Sequence, residues 1–505
     1  MDAKPHVDAQ LDTLEAKGLI KLASLQPELE YLFRHVLVQD AAYGSLLKQE
    51  RRELHRRVGE ALEGLYPERG SELAGVLAMH FEQAGDAERA LRYLVAEGRY
   101  ALDRNALTEA YAAFDRALPY LPSEDTIETT HLRVEIELGR ARAGFAFRHP
   151  ADVIAELSAV LPAAESTGDL ELIAQVHLHL ALMRIESGHK AMDPAVQESL
   201  KRVTDIGAEL DDPSLGALPL ALVGLNKVFI GPTREGVAQL ELAVPLMEKR
   251  RNSIGAAFAR GWLAIGYANL GEFDKAEQAS RYATEQAAKG DLIAQLDAQI
   301  AAAVVHSQRG RLDEALPIAQ KCLADSEQSG ATACAVVSAW MLGDIYQRQG
   351  RFEEARDALG LGIRLAPVTG ADRVWRPTLT AWMGTNNAIL GEPDTDPAAW
   401  EGALATSRQI DNKLGEAGIL WKRAEARAKL ADWPAAFADF EAGASIWEAD
   451  GSRPNLARTL RSWGDALRAS GHAAEADEKH RRALELFVAL GLEREAGEVR
   501  SGLSG

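Results

Sequence analysis

The segment DIYQRQGRFEEARDAL, residues 344–359, contains the pattern that decides the fold of this chain. A run with helical character ends at a turn with Gly350, and a second run follows in which Ala355 lies five positions after the turn. Similar segments recur along the sequence, for example at residues 266–279, 306–319 and 465–480. Self-similarity of this kind is typical of a protein built from structural repeats.

Two series of turn residues recur at intervals of about 40 residues. The first consists of Gly231, Gly271, Gly310, Gly350, Gly391 and Gly471, with Ala431 in the remaining position. The second consists of Gly290, Gly330, Gly370, Gly451 and Gly491, and the position near Asp411 lacks a glycine. Because glycine adopts positive φ without strain, we expect the first series to end one helix of each unit in the left-handed conformation.

Small residues lie at fixed distances on both sides of these turns. The position seven residues before each turn is always alanine or glycine: Gly224, Ala264, Ala303, Gly343, Gly384, Ala424 and Gly464. Alanine also recurs five residues after the turn, at Ala276, Ala315, Ala355, Ala436 and Ala476. Since the distance between packed helices depends on the size of the side chains in contact, this spacing predicts two closely packed antiparallel helices in each unit.

The pattern resembles the tetratricopeptide repeat over about residues 130–495, although the usual unit has about 34 residues. We therefore predict an all-α fold, a tetratricopeptide-like solenoid of about nine helical hairpins forming a right-handed superhelix, preceded by a truncated winged-helix module with a short β-hairpin. The predicted domains are a winged-helix module at 1–64, a helical lead-in pair at 65–125, the solenoid at 126–495 and a tail at 496–505.

Composition restricts the class of protein. Apolar residues make up 47% of the 505 residues and charged residues 26%, as in a folded soluble protein. The net charge of −19 is unfavourable for a protein that binds nucleic acid. Two cysteines, Cys322 and Cys334, are too few for a disulfide framework, and no leader or membrane-length apolar run is recognisable. We predict a cytoplasmic protein without a nucleic-acid or membrane partner.

The amino-terminal stretch LDTLEAKGLIKLASLQPELEYLFRH, residues 11–35, predicts a helix that stops at Gly18, followed by two strands around a turn with Pro27. At FRHVLVQDAAYGSLL, residues 33–47, the sequence resembles the winged-helix module of signal-transduction ATPases with numerous domains. More narrowly, it is similar to bacterial proteins that join a class III adenylate/guanylate cyclase domain, an ATPase and a tetratricopeptide tail, and residues 51–63 fit the same family. The resemblance implies that this chain is the carboxyl-terminal part of a longer protein.

The same resemblance suggests a role for two residues at the end of the hairpin. In related switch ATPases a histidine at this position reaches the phosphates of bound ADP, and His35 occupies the matching position, beside Arg34. The resemblance thus implies that His35 and Arg34 sense nucleotide phosphate in a longer parent protein. Val36 stands where the family usually has an acid. Alternatively, both residues only hold the hairpin to the next helix.

Catalytic motifs are missing from the sequence. It has no phosphate-binding G-x-x-x-x-G-K-[ST] loop, no H-E-x-x-H and no G-x-S-x-G, so we predict a chain that is not an enzyme and uses no cofactor. His177 and His179 are two positions apart on a helix and therefore point in different directions. Asp394 and Asp396 are expected in a solvated loop, and Cys322 in the core.

A candidate binding strip follows from the repeat register, because the first helices of such hairpins line the concave side of a solenoid. Trp340 and Trp421 lie ten residues before a turn, and Asp344, Glu425 and Asp465 lie six residues before one. The strip would suit an extended basic peptide, with aromatic anchors and complementary charge. Alternatively, the tryptophans pack between repeats and the acidic residues are simply solvated.

The functional prediction is a protein- or peptide-binding scaffold that acts as the sensor or regulatory arm of a signalling ATPase. One alternative is part of an adenylate or guanylate cyclase with an ATP-binding regulatory domain, whose catalytic part lies outside this chain. A second alternative is a fragment of a transcription-regulator ATPase, although no helix-turn-helix pattern follows residue 491.

Overall fold

The structure is a computed structural model. It describes residues 4–24, 30–104, 106–145, 147–249, 253–288, 292–370, 372–392 and 397–503. Of the features discussed above, Pro27, Gly290, Asp394 and Asp396 lie outside the described residues. Contacts divide the chain into an amino-terminal unit, residues 1–100 with 116–121, and a repeat unit, residues 101–115 with 122–505.

The amino-terminal unit begins with the predicted order of helix, hairpin and helix. Its elements are α1 (Lys4–Ala16), β1 (Ile20–Ser24), β2 (Glu30–Phe33), α2 (Val36–Ser45), α3 (Lys48–Leu65) and α4 (Ala74–Ala84). The two strands are antiparallel, and Ile20 is opposite Phe33. Helix α1 stops before Gly18, which has a φ of +70°. A small core forms where Leu77 and Phe81 of α4 pack against Leu62 of α3.

Helices continue through the repeat unit to its end. Helices α5 (Ala87–Asp103) and α6 (Leu107–Ala117) contribute residues to both units. The others are α7 (Ile127–Gly144), α8 (Pro150–Thr167), α9 (Leu170–Glu186), α10 (Pro194–Glu209), α11 (Pro213–Ile230), α12 (Thr233–Lys249), α13 (Ser253–Leu270), α14 (Phe273–Ala287), α15 (Leu292–Gln308), α16 (Leu312–Ser329), α17 (Thr332–Arg348), α18 (Phe352–Leu365), α19 (Asp372–Ile389), α20 (Pro397–Gln409), α21 (Lys413–Lys429), α22 (Trp433–Asp450), α23 (Arg453–Ala469), α24 (Ala473–Ala489) and α25 (Glu493–Leu503).

Helices α7 to α24 form nine consecutive hairpins in the described part of the chain, and each hairpin packs on the next. The predicted fold class, an all-α solenoid of tetratricopeptide-like hairpins after a short β-hairpin, is therefore confirmed. The last helix, α25, packs against α24 and extends through most of the segment that the sequence assigned to a tail. The predicted domain boundaries themselves stay a prediction.

The turns have the backbone conformation that the glycine series predicts. All six glycines of the first series have positive φ, from +76° to +91°. Ala431 in the first series and Asp411 in the second have φ of +59° and +61°, although neither is glycine. The repeat therefore imposes the left-handed turn even on residues with a side chain, at a cost of about 1–2 kcal/mol for each.

This strain gives a first testable prediction. Ala431→Gly is expected to raise the free energy of unfolding by about 1 kcal/mol, because it removes the Cβ from a left-handed position. Gly350→Ala is the matched opposite change, since an added Cβ there meets no atom within 4 Å and acts only through the backbone, whose φ is +76°. It is expected to lower that free energy by about 1–2 kcal/mol. Urea unfolding measures both; a destabilised Ala431→Gly variant would contradict the interpretation.

The small residues before the turns allow the predicted close packing of helices. A Cβ added to Gly384 would lie 2.5 Å from the indole of Trp400, and one added to Gly343 would overlap Leu359. The alanines at the same register position, Ala264, Ala303 and Ala424, are fully buried. Cys322 is also completely buried, as predicted.

The solenoid returns onto itself after about five hairpins, because α11 packs against α21 and α13 against α23. At this seam the backbone N–H and the Oγ1 of Thr233 donate to the two carboxylate oxygens of Asp450, both at 2.8 Å. Nearby, Arg458 donates to the backbone carbonyl of Gln308 at 2.7 Å. The concave side, where the binding strip is predicted, is therefore a cavity bordered by successive turns of the superhelix, which touch at this seam.

Helix α11 is, among the described residues, the one helix long and apolar enough to cross a membrane by length and composition. In the structure 56% of it is buried inside the protein. A core helix passes the same test, and α11 packs against α10, α12, α13 and α21.

Candidate ligand-binding site

A cavity of about 300 Å³ lies inside the repeat unit. Its walls come mainly from the first helices of successive hairpins, from α9 to α23. These helices face inward because their small residues pack against the second helix of the same hairpin, which leaves the larger side chains on the opposite face. The cavity therefore collects side chains from residues far apart in the sequence.

One side of the cavity is a continuous series of aromatic rings, here called the aromatic belt. Successive ring centroids are 5.1–6.5 Å apart, within the range of favourable aromatic pairs. The belt consists of Phe258, Trp262, Phe229, Trp375, Trp340, Trp382 and Trp421, in spatial order. The contact of Phe229 with Trp375 joins helices α11 and α19, so the belt crosses from one turn of the superhelix to the next.

A group of buried charges borders the cavity near the seam. Asp344 accepts a hydrogen bond from the indole N–H of Trp382 at 2.9 Å and lies 3.6 Å from Arg348. Arg348 and Arg458 both contact the buried carboxylate of Glu495, at 3.4 and 3.1 Å. The two arginines therefore already have carboxylate partners.

The pKa values in this group follow from burial and pairing. Burial raises the pKa of the Glu495 carboxyl, but the charges of Arg458 and Arg348 outweigh burial and bring that pKa below its ordinary value. Burial and the neighbouring Arg348 charge lower the pKa of Arg458 to about 9, which still leaves the guanidinium protonated at neutral pH. Arg458 and Glu495 are thus both charged in the folded protein at neutral pH.

Glu186, at the end of α9, presents a different carboxylate to the cavity. Within the described part of the chain it has no hydrogen-bond or ion-pair partner, and burial raises its pKa from 4.5 to about 7. The side chain is half-buried because it borders the cavity and not bulk solvent. Asp297 and Cys334 line the same region; burial, Asp297 and Glu186 all raise the pKa of the Cys334 thiol. That thiol is therefore unreactive.

Several polar atoms at the cavity wall are buried without a partner in the described structure. They are Oδ1 of Asn226, Nε of Arg458 and the indole Nε1 atoms of Trp340 and Trp447. Asn226 and Trp447 are only 6% and 5% exposed. Because an unsatisfied buried polar atom costs about 1–3 kcal/mol, such atoms indicate a place where a ligand can supply the missing hydrogen bonds.

The structure brings together part of the predicted binding strip. Trp340, Asp344 and Trp421 line the cavity. Glu425 is not among the lining residues, because it accepts a hydrogen bond from Ser462 at 2.7 Å and pairs with a buried lysine of its own helix. Asp465 is exposed elsewhere on the solenoid. The proposed roles of these five residues in binding are untested.

Sequence reasoning missed Glu186, Trp262, Trp375 and Asn226, although a signal for the first helices was present. Along α17 the cavity-lining residues lie 2, 6, 9, 10, 13, 16 and 17 positions before Gly350. Residues with this spacing lie on one face of a helix. Steps of three or four residues along that face, taken from the two predicted positions six and ten residues before a turn, lead to Trp262 and Trp375. Glu186 lies in a more irregular repeat, where the turn register is weaker.

His35 and Arg34 lie in the amino-terminal unit, and both side chains are exposed. His35 precedes α2 in an extended conformation, and its side chain makes no capping hydrogen bond to that helix. The backbone N–H of Arg34 donates to the carbonyl of Leu19 at 3.0 Å, which continues the hairpin ladder. Their proposed role in phosphate sensing stays a prediction.

Comparisons with known proteins agree with this architecture. The family model described as tetratricopeptide repeat matches residues 292–367, which contain α15 to α18. The chain is 32% identical over 134 residues to the uncharacterized protein R02095 of Rhizobium meliloti (strain 1021). That match covers 25% of this chain and 13% of the relative, so this chain spans only a small part of the relative's length.

Two solved structures share the overall arrangement of helices. A Rap protein complexed with competence and sporulation factor superposes with a TM-score of 0.52 at 12% identity, over 72% of this chain and 99% of that one. One chain of the Cut9–Hcn1 hetero-tetramer of the APC/C superposes with a TM-score of 0.51 at 12% identity, over 90% of this chain and 88% of that one. At such low identity these likenesses show the fold alone: the chain is a tetratricopeptide-like helical solenoid.

Proposed function

We propose that the repeat unit is a binding module whose internal cavity takes a short peptide or an extended segment of a protein. The observation that carries this proposal is the aromatic belt inside a cavity that also has unpartnered polar atoms. A cavity of about 300 Å³ is at the lower limit of ligand pockets and can hold a few residues. Indole N–H groups of Trp340 and Trp447 suit backbone carbonyls, and the belt suits apolar or cationic side chains.

The comparisons support the same class of function. The Rap protein with this fold was crystallised with competence and sporulation factor bound. The likeness concerns the fold, so the peptide ligand of this chain is inferred from the chemistry of its own cavity.

Peptide binding can be tested by selecting hexapeptides from a phage-displayed library on the full chain. The dissociation constants of the corresponding synthetic peptides are then measured by the change in the protein's tryptophan fluorescence. We expect Trp375→Ala to weaken binding of the selected peptides at least tenfold. Trp433→Ala is the matched control, because Trp433 stacks on Phe437 and is not among the cavity-lining residues. Both variants need an unchanged melting profile. Equal losses in the two variants, or no selected peptide, would refute the proposal.

We further propose that the amino-terminal unit docks onto an ATPase domain, in the same polypeptide or in a separate one, and that the solenoid regulates that ATPase. Exposed apolar side chains in the amino-terminal unit support this: Val36, Leu37, Leu47 and Leu65 are 65%, 77%, 70% and 69% exposed. Apolar side chains of this kind become buried when a partner domain covers them. His35 directly precedes Val36 in the sequence and is exposed, so it could donate a hydrogen bond to a phosphate of the docked domain.

The docking proposal predicts ATPase activity that co-purifies with the protein. An antibody against the repeat unit would recover from native extract either a longer polypeptide or the 54.7 kDa chain with its partner. Leu37→Asp is expected to abolish the associated activity of a separate partner, whereas Leu430→Asp, at an exposed position of the repeat unit, should not. Cyclase activity in the same sample would favour the cyclase alternative. Absence of nucleotide hydrolysis in every sample would reject an ATPase partner.

In this proposal the chain itself is a non-enzymatic cytoplasmic scaffold. Ligand binding would favour one arrangement of the solenoid over another, which requires different affinities for the two arrangements.

A further inference from the structure

We propose that the cavity contains a subsite for an organic cation, a primary ammonium or guanidinium group of the ligand, held between Glu186 and the aromatic belt. This inference rests on the proposed binding function and specifies its ligand: the bound peptide carries a lysine, an arginine or a free amino terminus at this subsite. Three separate observations carry it, namely the charge balance of the cavity, an unpartnered acceptor and belt rings that carry no cation in the described structure.

The charges that line the cavity do not balance. Arg348 and Arg458 are both paired with Glu495, and Asp344 lies beside Arg348, so this group is close to neutral. Glu186 has no partner within the described residues, and its carboxylate borders the cavity. An incoming cation therefore meets the negative charge of Glu186, which no described group neutralises and which burial screens less than bulk water would.

An incoming anion would find unpartnered donors, Nε of Arg458 and the indole N–H groups of Trp340 and Trp447, but no unpaired arginine among the described lining residues. It would compete with the carboxylate of Glu495 for the two arginines, and that carboxylate is only 3% exposed. Removing one buried partner of such a group is costly. The described charges thus favour a cation over a carboxylate or phosphate.

The second observation is the side-chain amide of Asn226, which is 6% exposed and lines the cavity. Its Oδ1 atom is buried and accepts no hydrogen bond in the described structure. Ammonium and guanidinium groups are hydrogen-bond donors without an acceptor. They can therefore donate to Oδ1 of Asn226 or to the carboxylate of Glu186, both of which line the cavity.

The third observation comes from the belt itself. At its far end the ammonium group of Lys422 already lies over the rings of Trp421 and Trp382, at 4.5 and 5.2 Å from their centroids. The rings of Trp262, Trp340 and Trp375 carry no cation anywhere in the described chain, although they belong to the same series. Tryptophan is the strongest cation-binding ring, and the attraction increases when the cation is desolvated.

The test uses matched charged and neutral probes on the full-length chain. Hexapeptide pools with arginine fixed at one position are compared with pools that have citrulline, its neutral isostere, at that position. Butylguanidinium and butylurea form the corresponding small-molecule pair. Dissociation constants are measured by tryptophan fluorescence for the unmodified chain, for Glu186→Gln and for the control Glu198→Gln. Glu198 is exposed on α10 and is not among the cavity-lining residues.

We expect the arginine pools to bind at least tenfold more tightly than the citrulline pools. Glu186→Gln should reduce this preference to within twofold, whereas Glu198→Gln should retain it. Equal binding of arginine and citrulline pools would overturn the cation subsite and leave peptide binding intact. If no peptide pool binds but butylguanidinium binds more tightly than butylurea in a manner that depends on Glu186, the cation subsite is retained and the peptide function is refuted. A preference unaffected by Glu186→Gln would overturn the inference.

Discussion

Glu495→Ala is expected to lower the free energy of unfolding by about 3–5 kcal/mol, because it leaves Arg458 buried without its carboxylate partner. Glu495 and Arg458 are both 3% exposed, and their side chains are 3.1 Å apart. Arg348 loses the same partner but keeps Asp344 at 3.6 Å. The substitution also removes the contact between α25 and Arg348 at the end of α17, which are 147 positions apart. It therefore weakens the closure of the solenoid as well as one ion pair.

The matched control for this prediction lies one turn away on the same helix. Glu498 contacts Arg461 and Arg494, but its side chain is 49% exposed, so Glu498→Ala is expected to change the free energy of unfolding by less than about 1 kcal/mol. Urea unfolding of both variants gives the comparison. Similar values for the two variants would show that the buried pair adds nothing beyond a surface pair.

Glu186→Gln is expected to stabilise the protein by about 2–3 kcal/mol at pH 8 and to have almost no effect at pH 4. Burial raises the pKa of Glu186 from 4.5 to about 7. Between about pH 4.5 and pH 7, the carboxyl group of Glu186 therefore keeps its proton in the folded state, whereas it has lost the proton in the unfolded state. Stability contributed by the protonated group is complete below about pH 4.5 and is lost as pH rises through about 7.

Unfolding of the unmodified chain and of Glu186→Gln should therefore be compared across this pH range. The titratable groups near Glu186, Asp297 and Cys334, are present in both proteins, so their contributions cancel in the difference. A difference in the free energy of unfolding that grows between pH 4 and pH 8 is expected. A constant difference would mean that Glu186 titrates normally and has a partner in solution.

Together these variants separate two kinds of buried charge. The Glu495 group is internally paired and contributes to the closed form of the solenoid. Glu186 is unpaired in the described structure and costs stability at neutral pH, as do many groups at functional sites. One residue therefore belongs to the scaffold and the other to the proposed cation subsite.

The helical hairpins and their packing follow from local sequence patterns. These patterns are the turn glycines with positive φ, the small residues seven positions before them and the alanines five positions after them. Each of them acts within one hairpin or between neighbouring hairpins. Such local contacts repeat with the sequence, so a single chain displays them many times. The helix face that carries Trp340, Asp344 and Trp421 was likewise readable, since a helix face follows directly from the turn register.

Only the tertiary structure decided that the concave face closes into a cavity. Closure depends on contacts such as Thr233 with Asp450, which are 217 positions apart and belong to different turns of the superhelix. Whether such residues meet depends on the small rotation between successive hairpins. This rotation adds up over about five units, and it leaves no local pattern in the sequence. For the same reason sequence spacing selected Glu425 and Asp465, whereas closure placed Glu186 and the aromatic belt in the wall of the same cavity.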